Sequence, residues 1–170
     1  MLHVWQISPG ILKESIDLGA YDGCLTTTVR FLHNPECNHA FACSAVGSSV
    51  FHLHMNSVND KWSADKVFHV EPIQVENWLS PEMPALLTDL VISMNDKFAY
   101  VAGWLHGCIW QLDIADPFRV SPLNKVRNIF DVFQDRLSYS GFLNSFYPQV
   151  LFRFESVVLL FYCSPNLETI

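Results

Sequence analysis

Seven histidines and five cysteines are the side chains of this chain best suited to chemistry, since imidazole and thiolate are common metal ligands, bases and nucleophiles. His33 ends the run Arg30-Phe31-Leu32-His33-Asn34-Pro35, where a strand-like stretch breaks into a turn. His106 sits in the glycine-flanked corner Gly103-Trp104-Leu105-His106-Gly107. Loop ends on a rigid β scaffold are where binding residues gather, so His33 and His106 are the candidate metal-ligating and catalytic residues. The blander reading of each is a histidine hydrogen-bonded within its own turn. His52 and His54 form an H-x-H pair that points two imidazoles to one face of a strand and could hold copper or zinc. With no third ligand nearby, a solvated strand face is the simpler expectation for them. His3, His39 and His69 lie in or beside strand-like runs with no partner at ligand spacing and are given no role. Cys108 is the thiol adjacent to His106, and a lowered pKa would make it a soft ligand or nucleophile. No Ser-His-Asp order, glycine-rich phosphate loop or paired-carboxylate motif supports a hydrolase or a nucleotide-binding protein.

The elements that must position these residues read as strands. Leu2 to Ile7 alternates apolar and polar residues, Ser8-Pro9-Gly10 punctuates a turn, and Ile11 to Leu18 returns. Thr26 to Leu32, Ala40 to Val46, Val50 to Met55 and Trp62 to Val70 follow, separated by turn formers. Glu71 to Pro84 carries three prolines and predicts a long surface connection. Leu86 to Ile92, Phe98 to Gly103 and Cys108 to Ile114 complete the strand set. Before residue 126 no segment keeps a 3.6-residue apolar period over three turns. A shift of 59 positions lays His39-Ala40-Phe41-Ala42 on Phe98-Ala99-Tyr100-Val101 and Val50-Phe51 on Ile109-Trp110. Each unit is a strand, a turn, a small-residue strand, a glycine corner and an alternating strand, the pattern of a propeller blade. The same shift lays His33 on Ile92 and His106 on Gly47, so the two histidines hold different blade positions. The expected fold is all-β: a partial β-propeller of about two to three antiparallel four-stranded meanders over residues 1–126. Residues 127–170 are expected to form a divergent aromatic-rich tail.

Bulk properties bound the function. With 10 Lys+Arg against 17 Asp+Glu the net charge is −7, and no basic stripe offers a nucleic-acid or anionic-membrane surface. Five cysteines without a CxxC pair fit neither a zinc ribbon nor a disulfide framework and favour a reducing compartment. The N-terminal stretch lacks a charged n-region and an apolar h-region, so a cytoplasmic location is expected. The longest apolar run of the tail, Val157 to Cys163, is seven residues where a membrane helix needs about 20, and it has the composition of an aggregation-prone strand.

Arg30–Pro35, the Trp62-Ser63 to Lys66-Val67 pattern, Trp78 to Asp89 and Gly103–Gly107, taken in this order, resemble the selenium-binding protein family, whose members include methanethiol oxidases. The resemblance covers about residues 1–126. It implies a cytosolic propeller of seven-bladed type, of which this chain carries part. It also implies copper as metal, selenium association, and oxidation of a small thiol, methanethiol, to formaldehyde, hydrogen sulfide and hydrogen peroxide. His33 and His106 match the family's histidine motifs. Two departures stand out: Thr28 where an acidic residue is usual, and Cys108 where Asp is usual, which would remove carboxylates that orient imidazoles. The competing expectation is a non-catalytic propeller remnant, from a truncated or mis-spliced reading frame, that acts as an interaction module and self-associates through exposed blade edges.

Overall fold

The computed structural model describes residues 1–76 and 80–127, and the backbone of 158–162. Every element in it is a strand. β1 (Leu2–Gln6) and β2 (Ile11–Ile16) form an antiparallel hairpin. β3 (Thr26–Phe31), β4 (His39–Ser44), β5 (Ser49–Asn56) and β6 (Lys61–His69) make a four-stranded antiparallel meander in chain order. A short hairpin, β7 (Ile73–Gln74) with β8 (Glu82–Met83), occupies the proline-bearing connection. A second meander follows: β9 (Leu87–Ile92), β10 (Phe98–Gly103), β11 (Cys108–Asp113) and β12 (Ser121–Arg127). β13 (Val158–Tyr162) lies parallel to β1 on the edge away from β2.

These are two four-stranded propeller blades beside a hairpin. The 59-residue period is structural: His39 to Phe98 starts β4 and β10, and Ser49 to Cys108 starts β5 and β11. β12 is the strand that apolar alternation does not reveal. It carries Pro122, its residues are exposed from Ser121 to Val126, and its register slips between Gln111 and Leu112 where the proline pairs. An outermost strand tolerates this because one edge needs no ladder partner. Of the tail, only β13 lies among the described residues; 128–157 and 163–170 fall outside them, as do Trp78 and Leu79.

Two apolar layers hold the sheets together. One joins the blades to each other through Phe41, Cys43 and Val50 from the first and Leu90, Val101, Trp110 and Leu112 from the second. The other joins the first hairpin to the first blade through Leu2, Val4, Phe51, Leu53 and Trp62. Leucines that reach zero exposure in these layers, such as Leu53, Leu90 and Leu112, each contribute roughly 1.5–3 kcal/mol of burial. Backbone amides donate across the same seams. Leu87 N donates to Ala45 O at 3.1 Å, and Trp62 N donates to Glu14 Oε1 at 2.8 Å.

Candidate functional site: three histidine positions on the blade pair

The first position is the corner after β10. Gly103 lies against the Trp110 indole, where a Cβ would collide with the ring, and Gly107 turns the chain at φ 58°. That tight corner turns His106 back towards the connection before β9, where its Nε2 meets Met83 O at 3.1 Å. A carbonyl only accepts, so Nε2 carries a proton there. A groove of about 470 Å³ opens beside the ring, lined by His106, His69, Glu71, Trp110, Leu123 and Lys125. Lys125 Nζ stands 4.7 Å from the centroid of the Trp110 ring. Cys108 does not reach this groove; at 2% exposure it packs in the layer between blades, as a small apolar residue does.

The second position is the end of β3. His33 Nδ1 is 2.7 Å from Asp96 Oδ1, and the amides of His33 and Asn34 donate to the same carboxylate at 2.9 and 3.0 Å. Asp96 belongs to the turn between β9 and β10 in the next blade, at φ 56°. Partial burial opposes its ionisation, but the two amides and the His33 ring outweigh it and hold the carboxyl below its ordinary value. The carboxylate partner of His33 thus lies 63 residues downstream in the chain. Thr28 itself lies 3.5 Å from Asp89, which also pairs with Arg30 at 3.4 Å.

His33 and His106 are not brought together. His33 docks where β10 begins and His106 follows where β10 ends, so the strand's six residues, about 20 Å, separate them. Copper held by nitrogen ligands needs donors roughly 2 Å from one centre. The pair cannot meet that requirement jointly, and among the described residues no group of three or more His, Cys, Asp or Glu is placed to hold a metal ion.

The third position is the one that spacing alone did not assemble. The β4–β5 register sets His39 opposite His54 and Phe41 opposite His52. All three imidazoles therefore share the face that meets the second blade. His39 Nδ1 lies 2.9 Å from His52 Nε2; the His52 ring stacks on His39 with centroids 5.0 Å apart and lies tilted to His54 at 5.2 Å. Phe118, from the loop between β11 and β12, stands edge-on to all three at 4.8–5.6 Å. His54 Nε2 is 3.0 Å from Asp65 Oδ2. His52 is fully buried and its Nδ1 has no hydrogen-bond partner. Burial first, then the neighbouring His39 and His54, push its pKa down to about 4, and burial first, then His54, also lowers that of His39. The signal available in the sequence was the H-x-H pair; the missing third member, His39, lies across a hairpin whose register the sequence does not print.

A run of blades with histidines at loop ends and between sheets defines a segment of a β-propeller, and the comparisons agree. The family model described as "56kDa selenium binding protein" matches residues 1–132. A "Putative selenium-binding protein" of Caenorhabditis briggsae is 60% identical over 132 residues, covering 76% of this chain and 26% of that protein. A "Methanethiol oxidase" of Xenopus laevis is 44% identical over 115 residues, covering 68% of this chain and 24% of its own length. Among solved structures, the X-ray structure of a hypothetical selenium-binding protein from Sulfolobus tokodaii superposes with a TM-score of 0.62 at 28% identity, over 71% of this chain and 28% of that one. The chain belongs to the selenium-binding protein family, and it spans about a quarter of the length of the curated relatives it matches. Among the described residues no helix is long and apolar enough to cross a membrane.

Proposed function

We propose that this chain is the histidine-bearing segment of a thiol-oxidising selenium-binding protein, and that the complete propeller, not these blades alone, turns over substrate. The supporting observation is the groove beside His106. The His106 imidazole, held through Nε2 by Met83 O, lines a recess walled by Trp110, with room for a one-carbon thiol. The reaction implied consumes one methanethiol, one dioxygen and one water, and yields one formaldehyde, one hydrogen sulfide and one hydrogen peroxide. The carbon loses two electrons, dioxygen gains two, water supplies the carbonyl oxygen and sulfur leaves as hydrogen sulfide. No step is assigned to copper held by His33 and His106 together, because they stand at opposite ends of β10. Selenium association follows the names of the relatives and is assigned to no residue of this chain.

The test measures hydrogen sulfide and peroxide released from methanethiol by two proteins. One is the purified chain; the other is a complete methanethiol oxidase in which residues 1–126 replace the matching segment. The chain alone is expected to be inactive, and the hybrid active. His106→Ala in the hybrid is expected to lower kcat/KM by about 10-fold or more, of the order a positioned base or ligand supplies. Steady turnover by the isolated chain sinks the requirement for a complete propeller. An unchanged hybrid sinks the role of His106. The second reading, a non-catalytic interaction module that self-associates, is favoured by Val91, Tyr100 and Val126, which stand exposed on the second blade. Size-exclusion chromatography of residues 1–126 against the full chain tests it: a monomer in both cases removes it.

A further inference from the structure

His39, His52 and His54 have no part in the thiol-oxidation reading, and the way two of them share hydrogen decides where a proton can go. His39 Nδ1 and His52 Nε2 are 2.9 Å apart, so one hydrogen lies between them. The neutral pair holds one further hydrogen, on either His39 Nε2 or His52 Nδ1. His39 is partly exposed, whereas His52 is fully buried and its Nδ1 has no hydrogen-bond partner. The further hydrogen therefore sits on His39 Nε2, and His52 Nδ1 is left bare. Charging the pair fills both outer nitrogens, which forces an N–H into a buried place with no acceptor. We infer that His52 is an acid-operated latch: a proton on its Nδ1 drives the Phe118 ring off the imidazoles and lets water in beneath it. The latch does not rest on the reading proposed above.

The loop that carries Phe118 is built to yield. Its ends are anchored, since Ile114 is fully buried and Val120 packs against the layer between the blades. Between them, Ala115 N donates to Asp113 Oδ1, Phe118 N to Asp116 Oδ1 and Arg119 N to Asp116 O, so these bonds stay within residues 113–119. Phe118 lies against the first blade by ring contacts at 4.8–5.6 Å. It is already 60% exposed, so its release uncovers little further apolar area. Four titratable groups act on His52: His39 from β4, His54 from β5, Asp65 from β6 and Asp116 from the loop, the last paired with Arg119 at 3.8 Å. The two imidazoles oppose a charge there and the two carboxylates favour it, but burial comes first and pushes the pKa down to about 4. With the ring released, water reaches Nδ1 and the carboxylates remain, so the open form takes the proton more readily than the closed one. The latch is therefore shut above about pH 6.5, and the pull to open grows as pH falls towards 4.

The experiment replaces Phe118 by 4-trifluoromethylphenylalanine in the full chain and follows its fluorine-19 resonance from neutral pH down to about pH 4. The urea-unfolded chain supplies the signal of a free ring. The ratio of free to packed ring is expected to rise by about 10-fold or more as pH falls from about 6.5 to about 4, while far-UV circular dichroism holds. His52→Phe, which fills the same space beside Phe41 and takes no proton, should keep the ring packed throughout; His33→Ala should leave the acid release unchanged. Nitrogen-15 histidine spectra of the labelled chain add a check that needs no further variant: His52 should titrate in step with the fluorine signal. A ring still packed at about pH 4, or release of the same size in His52→Phe, overturns the inference. So does a His52 that titrates with no movement of the ring, or release that comes only with loss of the circular dichroism signal.

Discussion

Position for position, His39, His52 and His54 of the first blade correspond to Phe98, Gln111 and Asp113 of the second, each 59 residues later. The backbones match, but the cover differs. The histidine face is closed by β9–β11 and by Phe118, so His52 is fully buried. The equivalent face of the second blade carries an open polar ladder, in which Asn124 Nδ2 donates to Gln111 Oε1 at 3.3 Å and Gln111 Nε2 reaches Tyr100 Oη at 3.5 Å. A repeated scaffold sets where side chains stand, whereas the neighbouring blade sets whether they lose water. Loss of water is what pushes His39 and His52 towards the neutral form and leaves His52 Nδ1 without a partner.

Four measurements break or sharpen that contrast. The largest effect is expected from adjacent residues of β9 on opposite faces. Leu90→Ala, at zero exposure between the blades, should cost about 3 kcal/mol in urea unfolding, and Val91→Ala, 53% exposed, under about 0.5 kcal/mol. Equal costs would mean that the seam between blades is not the stabilising layer.

Next comes pH. His52 titrates near 4 when folded and near 6.5 when unfolded, so the unfolded chain takes up the proton first as pH falls. Its contribution is intact above about 6.5 and drains away between 6.5 and 4, by about 3 kcal/mol. His52→Phe should flatten the stability profile over that window relative to the parent. An identical slope in both proteins would place His52 in water and remove the contrast between the faces.

A smaller loss, about 1 kcal/mol, is expected for Asp96→Asn, which tolerates the same positive φ but gives up charge-assisted bonds to His33 and Asn34. Because the Asp96 carboxyl is held below its ordinary value, this contribution is present above about pH 4 and lost as pH falls through the lowered value. The parent and Asp96→Asn curves should therefore converge in acid. The least effect belongs to Arg30→Ala, whose pair with Asp89 at 3.4 Å is half exposed on both sides; under about 0.5 kcal/mol is expected from the urea midpoint.

Strand identity was legible in the sequence because alternation and turn chemistry are local. Phe98 to Gly103 reads as a strand and is one, end to end; β5 runs one residue past its sequence reading at each end, and β11 stops one residue short of its own. β12 was not legible, since an exposed edge strand with a proline keeps no apolar alternation. The proline-bearing connection reads correctly as an excursion, but its small β7–β8 hairpin does not show in composition.

Residue types, the 59-residue period and the two histidine motifs were thus determined by the chain's own order, because period, turn and motif depend on neighbours a few positions apart. Which histidines meet was decided only by tertiary structure. His33 finds its carboxylate 63 residues away at Asp96, and His39 finds His52 through hairpin register. Phe118 arrives from the next blade to close the cluster. His33 and His106 share the loop-end character that drew attention to both, yet the length of one strand keeps them apart. Contacts between blades decide which of these side chains meet, and their partners lie too far along the chain for spacing to reveal.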